Sequence, residues 1–427
     1  MSARDRLEQA LSRIADPKGE GARTCLTVYA DAARAAADAA DARAKGGISL
    51  GALDGALVTI KDLFDVKGEP TRAGSKIMAD APPAQSDAPI VRRLRAAGAV
   101  ILAKTNMSEF AFSGIGANPH YGTPGNPADR ARVPGGSSSG AAVAAADAMC
   151  DIAIGTDTGG STRIPAAFCG VVGFKPSKQR ISTEGAFPLS STLDSIGPLA
   201  RTVADCANAD AVMAGEEPGP LEAVSLSGLR LGIPQGLPLK DLDATVIAGF
   251  TAALGRLGKA GVRVSEEPLS LIDDMLGVNA RGGFAPAEAF AIHRDNLKAR
   301  PADFDPNVRA RIERGGAMSA ADYVDMAHER GRLVRAMDAR LADLDALVLP
   351  TSPIVAPTIA EVATPETFNA KNMMSLRNTS IINFFDLTAI SLPLPRDGLP
   401  VGLMLVARNG CDHRLFRIAA AVERLLA

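Results

Sequence analysis

The stretch Cys150–Ser177, CDIAIGTDTGGSTRIPAAFCGVVGFKPS, sets two short apolar runs on either side of a glycine loop. Runs of this kind, apolar without alternation, suit strands covered on both faces, which places Ser161 in a loop just beyond a strand. The same signature recurs outward from it. ALVTI (Ala56–Ile60) and AVILAK (Ala99–Lys104) read as strands with the helical APIVRRLRAAG (Ala88–Gly98) between them, and SSSGAAVAAADAM (Ser137–Met149) reads as a helix opening on a serine cap. Strand-like LRLGIP, VRVSEEP, DALVLPTSP, LTAISLPLP and VGLMLVA follow, interrupted by a helix near Ala244–Gly261 and a polar helical stretch from Phe284 to Asp343. The alternation predicts an α/β protein whose C-terminal strands rejoin the first sheet.

Residues 1–50 read as an alanine-rich helical layer ending at the glycines of AKGGISLG, and AGEEPGPLEAVSLSG (Ala214–Gly228) is the best linker or lobe boundary. No repeat of solenoid period occurs. With 427 residues, 47% of them hydrophobic and 22% charged, the chain has ample material for a core. Its 46 basic and 48 acidic residues leave a net charge of −2, which favours a small-molecule partner over nucleic acid or an anionic membrane. Five cysteines (Cys25, Cys150, Cys169, Cys206, Cys411) form no C-x-x-C pair and suggest buried thiols rather than a disulfide framework or zinc site. No signal-peptide pattern opens the chain and no run of 18 apolar residues occurs, so the expectation is a cytoplasmic protein.

The search for chemistry meets a decoy first. Gly136-Ser137-Ser138-Ser139-Gly140 satisfies the nucleophile-elbow pattern, but an elbow serine needs a histidine, and His120, His293, His328 and His413 all lie outside glycine-bordered loops. There is no H-E-x-x-H, P-loop, G-x-G-x-x-G or S-x-x-K. A serine without histidine can still be activated by a lysine whose burial lowers its pKa. Lys61, ending the run before VTIKD closes, and Lys104, ending AVILAK, both qualify; a lysine at a strand end also snorkels readily to solvent. The loop Thr158-Gly159-Gly160-Ser161 can offer backbone N–H groups to an oxyanion, and it equally fits a plain turn before a helix or an anion nest.

Three segments taken in order decide among these. VTIKD with Lys61, NPADRARVPGGSSSGAAVA with Ser137 after two glycines, and GTDTGGSTRIPAAFCGVVGFKPS with Ser161 together resemble the amidase signature family, as does TLDSIGPLARTVAD (Thr192–Asp205). LVLPTSP and AISLPLP extend the likeness over nearly the whole chain. The resemblance implies a single α/β/α sandwich domain over residues 1–427 with a large mixed, twisted sheet. It also implies a Ser-cisSer-Lys triad: Ser161 as nucleophile, Ser137 behind a cis peptide as proton bridge, Lys61 as base. Thr158, Gly159, Gly160 and Ser161 would form the oxyanion hole, with Asp157, Arg163 and Ser138 in support and Lys104 outside the triad. No metal or cofactor is implied, and a homodimer is compatible with the family. Thr162 departs from the isoleucine or valine common after the nucleophile, which touches local packing only.

The implied reaction is cleavage of a small carboxamide, aryl amide or carbamate through an acyl-enzyme. The alternative is the glutamine-hydrolysing component of a tRNA-dependent amidotransferase. NMSEFAFSG (Asn106–Gly114) lies where the family lines its acyl pocket, which makes Phe110 or Phe112 a candidate contact, with core packing an equal alternative for either. In NMMSLRNTSIINFFDLTAISLP (Asn372–Pro393) the amidotransferase's acidic glutamine-binding residue has no counterpart: Leu376 occupies the position, and Arg377 and Asn378 beside it either face the substrate or anchor a helix, with Arg377 a further pocket candidate.

Overall fold

In the computed structural model, which describes residues 1–395 and 398–427, the apolar runs become strands. They are β1 (Cys25–Val28), β2 (Leu57–Lys61), β3 (Val100–Thr105), β4 (Ile152–Asp157), β5 (Val172–Lys175) and β6 (Ser195–Ala200), then β7 (Arg230–Pro234), β8 (Arg263–Glu267), β9 (Ala346–Pro350), β10 (Thr388–Pro393) and β11 (Gly402–Ala407). All join one 11-stranded mixed sheet in the order β1-β3-β2-β4-β6-β5-β10-β11-β9-β7-β8. β2 runs parallel to both β3 and β4, and β7 parallel to β8 and β9, while the remaining pairs are antiparallel. The sheet continues across the 214–228 segment, because β7 and β8 extend the same hydrogen-bonded array.

Alternate residues of each central strand enter different cores, which is why these strands read as unbroken apolar runs. In β9, Ala346 and Val348 face one layer while Leu347 and Leu349 face the other; β11 divides Leu403 and Leu405 from Met404 and Val406 in the same way. At the opposite end of the sheet, Leu57, Val100 and Leu102 pack beneath the N-terminal helices Ala3–Ala15 and Ala30–Lys45 through Leu7, Ala33 and Ala37. Helices thus cover both faces. No helix among the described residues is long and apolar enough to cross a membrane.

Two strands carry no strong sequence signal. β1 is a four-residue edge strand inside the expected helical layer. β6 contains Gly197 and Pro198, which read as a turn; the proline is tolerated because β5 pairs only with Leu199 and Ala200 on that side.

One close approach fixes the loop that precedes the Ser139–Ala146 helix. Gly140 donates its N–H to the Asn106 carbonyl at 2.9 Å, and a Cβ at this position would lie 2.6 Å from both the Asn106 amide nitrogen and the Thr24 carbonyl oxygen. Substituting Gly140→Ala should therefore lower stability by about 1–3 kcal/mol through backbone displacement. A urea melt with the wild-type midpoint would contradict this packing argument.

Candidate active site

The site forms where β2 and β4 end side by side. Their register pairs Ile60 with Ile154, so Lys61, the last residue of β2, comes level with the end of β4 at the carboxyl edge of parallel strands, where such sheets open crevices. The Lys61 side chain is fully buried, and its Nζ donates to Ser137 Oγ at 2.7 Å and to Thr156 Oγ1 at 2.8 Å. Burial pushes the Lys61 pKa down from 10.5 to about 7, against the opposing pull of Asp157 and Asp194.

Lys104, the other lysine considered, turns away: it donates to the Pro70 carbonyl and lies 3.9 Å from Asp62. The four histidines take no part in the Ser161 cavity. His120 contacts Glu109, His293 packs among phenylalanines, and His328 and His413 are exposed.

Ser137 follows a cis peptide bond after Gly136. The next residue ties the two serine loops together, since the Ser138 N–H donates to the Ser161 carbonyl at 3.3 Å and its hydroxyl donates to the Thr156 carbonyl at 3.3 Å. Ser161 lines an open cleft of about 190 Å³, and its hydroxyl has no hydrogen-bond partner among the described residues. Gly160 adopts φ +135°, and a Cβ there would fall 2.1 Å from Thr379 Oγ1, so only glycine fits. The structure removes Gly160 from the expected set of oxyanion donors, because its N–H is committed to Asp157 Oδ1 at 2.8 Å. The N–H groups of Thr158, Gly159 and Ser161 have no acceptor among the described residues.

Asp157 organises this loop. Its buried carboxylate accepts from the N–H groups of Gly160 and Thr162, the Thr162 hydroxyl, Nε and an Nη of Arg163, and the Asn383 amide. Burial alone would raise the Asp157 pKa, but the Arg163 charge and these hydrogen bonds hold it well below the usual carboxylate range. Arg163, itself fully buried, also donates to the Thr379 carbonyl and to Asn383 Oδ1, which joins the loop to the Pro365–Phe384 helix. On the other side of the loop, Thr158 Oγ1 donates to Asp194 at 2.5 Å.

Of the pocket residues expected from sequence, Phe112 lines the cleft and two others do not. Phe110 turns into the core, where it contacts Phe187, His293 and Phe304. Arg377 donates to the Lys240 carbonyl outside the cleft, and the helix instead turns Leu376, Ser380 and Phe384 inward. Asn378 is buried and donates to the Pro238 and Pro350 carbonyls, which makes it an anchor of the helix.

Sequence patterns alone did not single out Thr156, Asp194, Asn383 or Arg311. Thr156 and Asp194 stand inside the signature segments, beside residues with stronger signals. Arg311 belongs to a helix (Pro306–Arg314) whose buried residues are Val308 and Ile312, and the i, i+3, i+4 spacing sets Arg311 on that same stripe. Among the described residues no three His, Cys, Asp or Glu side chains converge as metal ligands would.

The chain as a whole has relatives over nearly its full length. The Amidase family model matches residues 6–416. The 2-amino-5-chloromuconic acid deaminase of Comamonas testosteroni is 38% identical over 402 residues, spanning 92% of this chain and 86% of that protein. The A subunit of the glutamyl-tRNA(Gln) amidotransferase of Anaeromyxobacter dehalogenans is 37% identical over 469 residues, spanning 100% and 93%. A crystal structure described as an amidase superposes with a TM-score of 0.89 at 37% identity, covering 100% of this chain and 97% of the other. Matches that run the length of the chain make it a member of the amidase family and a hydrolase of C–N bonds.

Proposed function

We propose that the chain cleaves a small-molecule carboxamide through an acyl-enzyme on Ser161, with Ser137 as proton bridge and Lys61 as base. The observation that carries this reading is the contact of a fully buried lysine with Ser137, whose neighbour Ser138 donates its N–H to the carbonyl of the cleft-lining Ser161. A lysine whose pKa falls to about 7 is substantially neutral at physiological pH. With one N–H of Lys61 directed to Thr156, its lone pair is available to Ser137.

In the proposed sequence Ser161 Oγ attacks the carbonyl carbon, its proton passes to Ser137 Oγ, and the Ser137 proton passes to Lys61 Nζ. The oxyanion of the tetrahedral intermediate meets the uncommitted N–H groups of Thr158, Gly159 and Ser161. Collapse breaks the C–N bond, and the proton returns through Ser137 to the departing nitrogen, releasing ammonia or an amine. Water then attacks the acyl ester by the same proton route, which frees the acid and restores Ser161.

The second reading, a component that hydrolyses glutamine within a tRNA-dependent assembly, draws on the full-length similarity to the glutamyl-tRNA(Gln) amidotransferase chain. Against it stands the lining of the cleft, which includes no aspartate or glutamate to receive a glutamine ammonium group. Release of ammonia or amine by the purified chain alone, across a panel of amides, anilides, carbamates and glutamine, separates the two.

Ser161→Ala should lower kcat by at least about 10⁴-fold with an unchanged melting temperature. Retention of wild-type turnover in that variant would rule out Ser161 as nucleophile. For the pH dependence, the required form of Lys61 is the neutral one, so kcat/KM should fall about tenfold per unit below a break near pH 7 and level off above it. That acidic limb should vanish from whatever activity remains in Lys61→Met; a limb unchanged there would assign the ionisation to another group.

A further inference from the structure

The glycine loop is pinned at three successive residues, each by a different part of the chain. Gly160 gives its N–H to Asp157, and the Gly159 carbonyl accepts from Thr379 Oγ1 at 2.6 Å, so both glycines are held through their backbone. Thr158 is held through its side chain, by the 2.5 Å bond from its hydroxyl to Asp194 Oδ1. The sheet sets up this meeting. β4 and β6 run antiparallel with Asp157 opposite Ser195, so Thr158 and Asp194, one step further on, face each other past the end of the ladder. Through its other oxygen the same carboxylate accepts the N–H groups of Leu189 and Ser190, both at 3.0 Å. Those two bonds already close the turn from which Leu189 and Leu193 line the cleft; the third reaches out of the turn to a residue whose own N–H has no acceptor among the described residues.

We propose that Asp194 is a positioning residue of the reaction: through the Thr158 hydroxyl it fixes the residue whose N–H meets the oxyanion. The inference rests on the serine mechanism proposed above and adds to it a group that stands outside the lining of the cleft. The hydroxyl and the N–H of Thr158 hang from one Cα, so a short bond from the first to a carboxylate limits how far the second can swing. The need for such an anchor follows from the sequence, because two glycines come next and place no Cβ in the way of backbone rotation. A donor stabilises an oxyanion only as far as its position is set before the charge develops, and a misplacement of about 1 Å costs on the order of 100-fold in rate. Asparagine at 194 can keep the anchor with its polarity reversed. Its oxygen would take the Leu189 and Ser190 N–H groups and its NH₂ would donate to Thr158 Oγ1, since a hydroxyl accepts as well as donates.

The test measures kcat and KM separately on the amide of the panel above that the chain hydrolyses fastest, with Ser161→Ala as control. Thr158→Val, which keeps the backbone N–H and drops the hydroxyl, should lower kcat about 10- to 100-fold while KM stays within about twofold. Thr158→Ser should restore most of that loss. Asp194→Ala should be slowed at least as much as Thr158→Val and Asp194→Asn far less, and the double variant Thr158→Val/Asp194→Ala should be no slower than Asp194→Ala alone. Phenylboronic acid supplies a readout without turnover: Ser161 Oγ bonds to boron as its proton passes through Ser137 to Lys61, and a boron-bound oxygen takes the oxyanion position. Its affinity should fall about 10- to 100-fold in Thr158→Val and vanish in Ser161→Ala. Wild-type kcat and boronate affinity in Thr158→Val, losses that multiply in the double variant, or a change confined to KM and melting temperature overturns the positioning role and leaves the serine mechanism standing. Hydrolysis or boronate binding that persists in Ser161→Ala, or a wild-type chain that shows neither, refutes the mechanism itself.

Discussion

The buried pair of Asp157 and Arg163 is the constraint on which the site depends. Neither charge can stay unpaired in the interior, and together they saturate each other while gathering four pieces of chain: the end of β4, the glycine loop, the helix that begins at Arg163, and the Pro365–Phe384 helix. Six hydrogen-bond contacts to one carboxylate also dictate where backbone donors point. The Gly160 N–H turns inward to Asp157, and the neighbouring N–H groups are left unclaimed beside Ser161. The open donors and the unpartnered hydroxyl are thus two results of one electrostatic arrangement.

The lysine is governed by the opposite circumstance. Lys61 sits in the same interior with two hydroxyl partners and no carboxylate in direct contact, so desolvation governs its ionisation. A carboxylate held charged and a lysine tipped toward neutrality thus stand at the ends of neighbouring strands, and the difference lies in which groups hydrogen-bond to each.

The segments that hold the proposed reacting groups stand out in the sequence through their resemblance to the family, since local pattern alone leaves Lys61 open to snorkelling and the glycine loop open to a plain turn. The sheet was legible from local pattern, since strands buried on both faces announce themselves by composition. β6 escaped because its glycine and proline mimic a turn, and β1 because four residues between helices are too few to show a period. The cleft wall was harder. Phe110 and Phe112 are indistinguishable as residues two apart in one loop, and only tertiary placement sends one to the core and the other to the cleft. Arg311 stood in a polar helical stretch whose bland meaning is a solvated face, and only tertiary placement sets it in the wall of the cleft.

The Pro365–Phe384 helix presents two adjacent stripes, Leu376, Ser380 and Phe384 to the cleft and Thr379 and Asn383 to the glycine loop and its Asp157–Arg163 pair. Under the proposed mechanism a bulky exchange on the first stripe would push the second, and acceptance of the acyl group would then be geared to the alignment of Ser161. Asn279, Phe284, Pro286 and Arg311 line the same cleft from other helices and loops, with no hydrogen bond to that pair. Under the proposed mechanism, evolution or a designer could change that wall while leaving the alignment of the Ser161 loop in place.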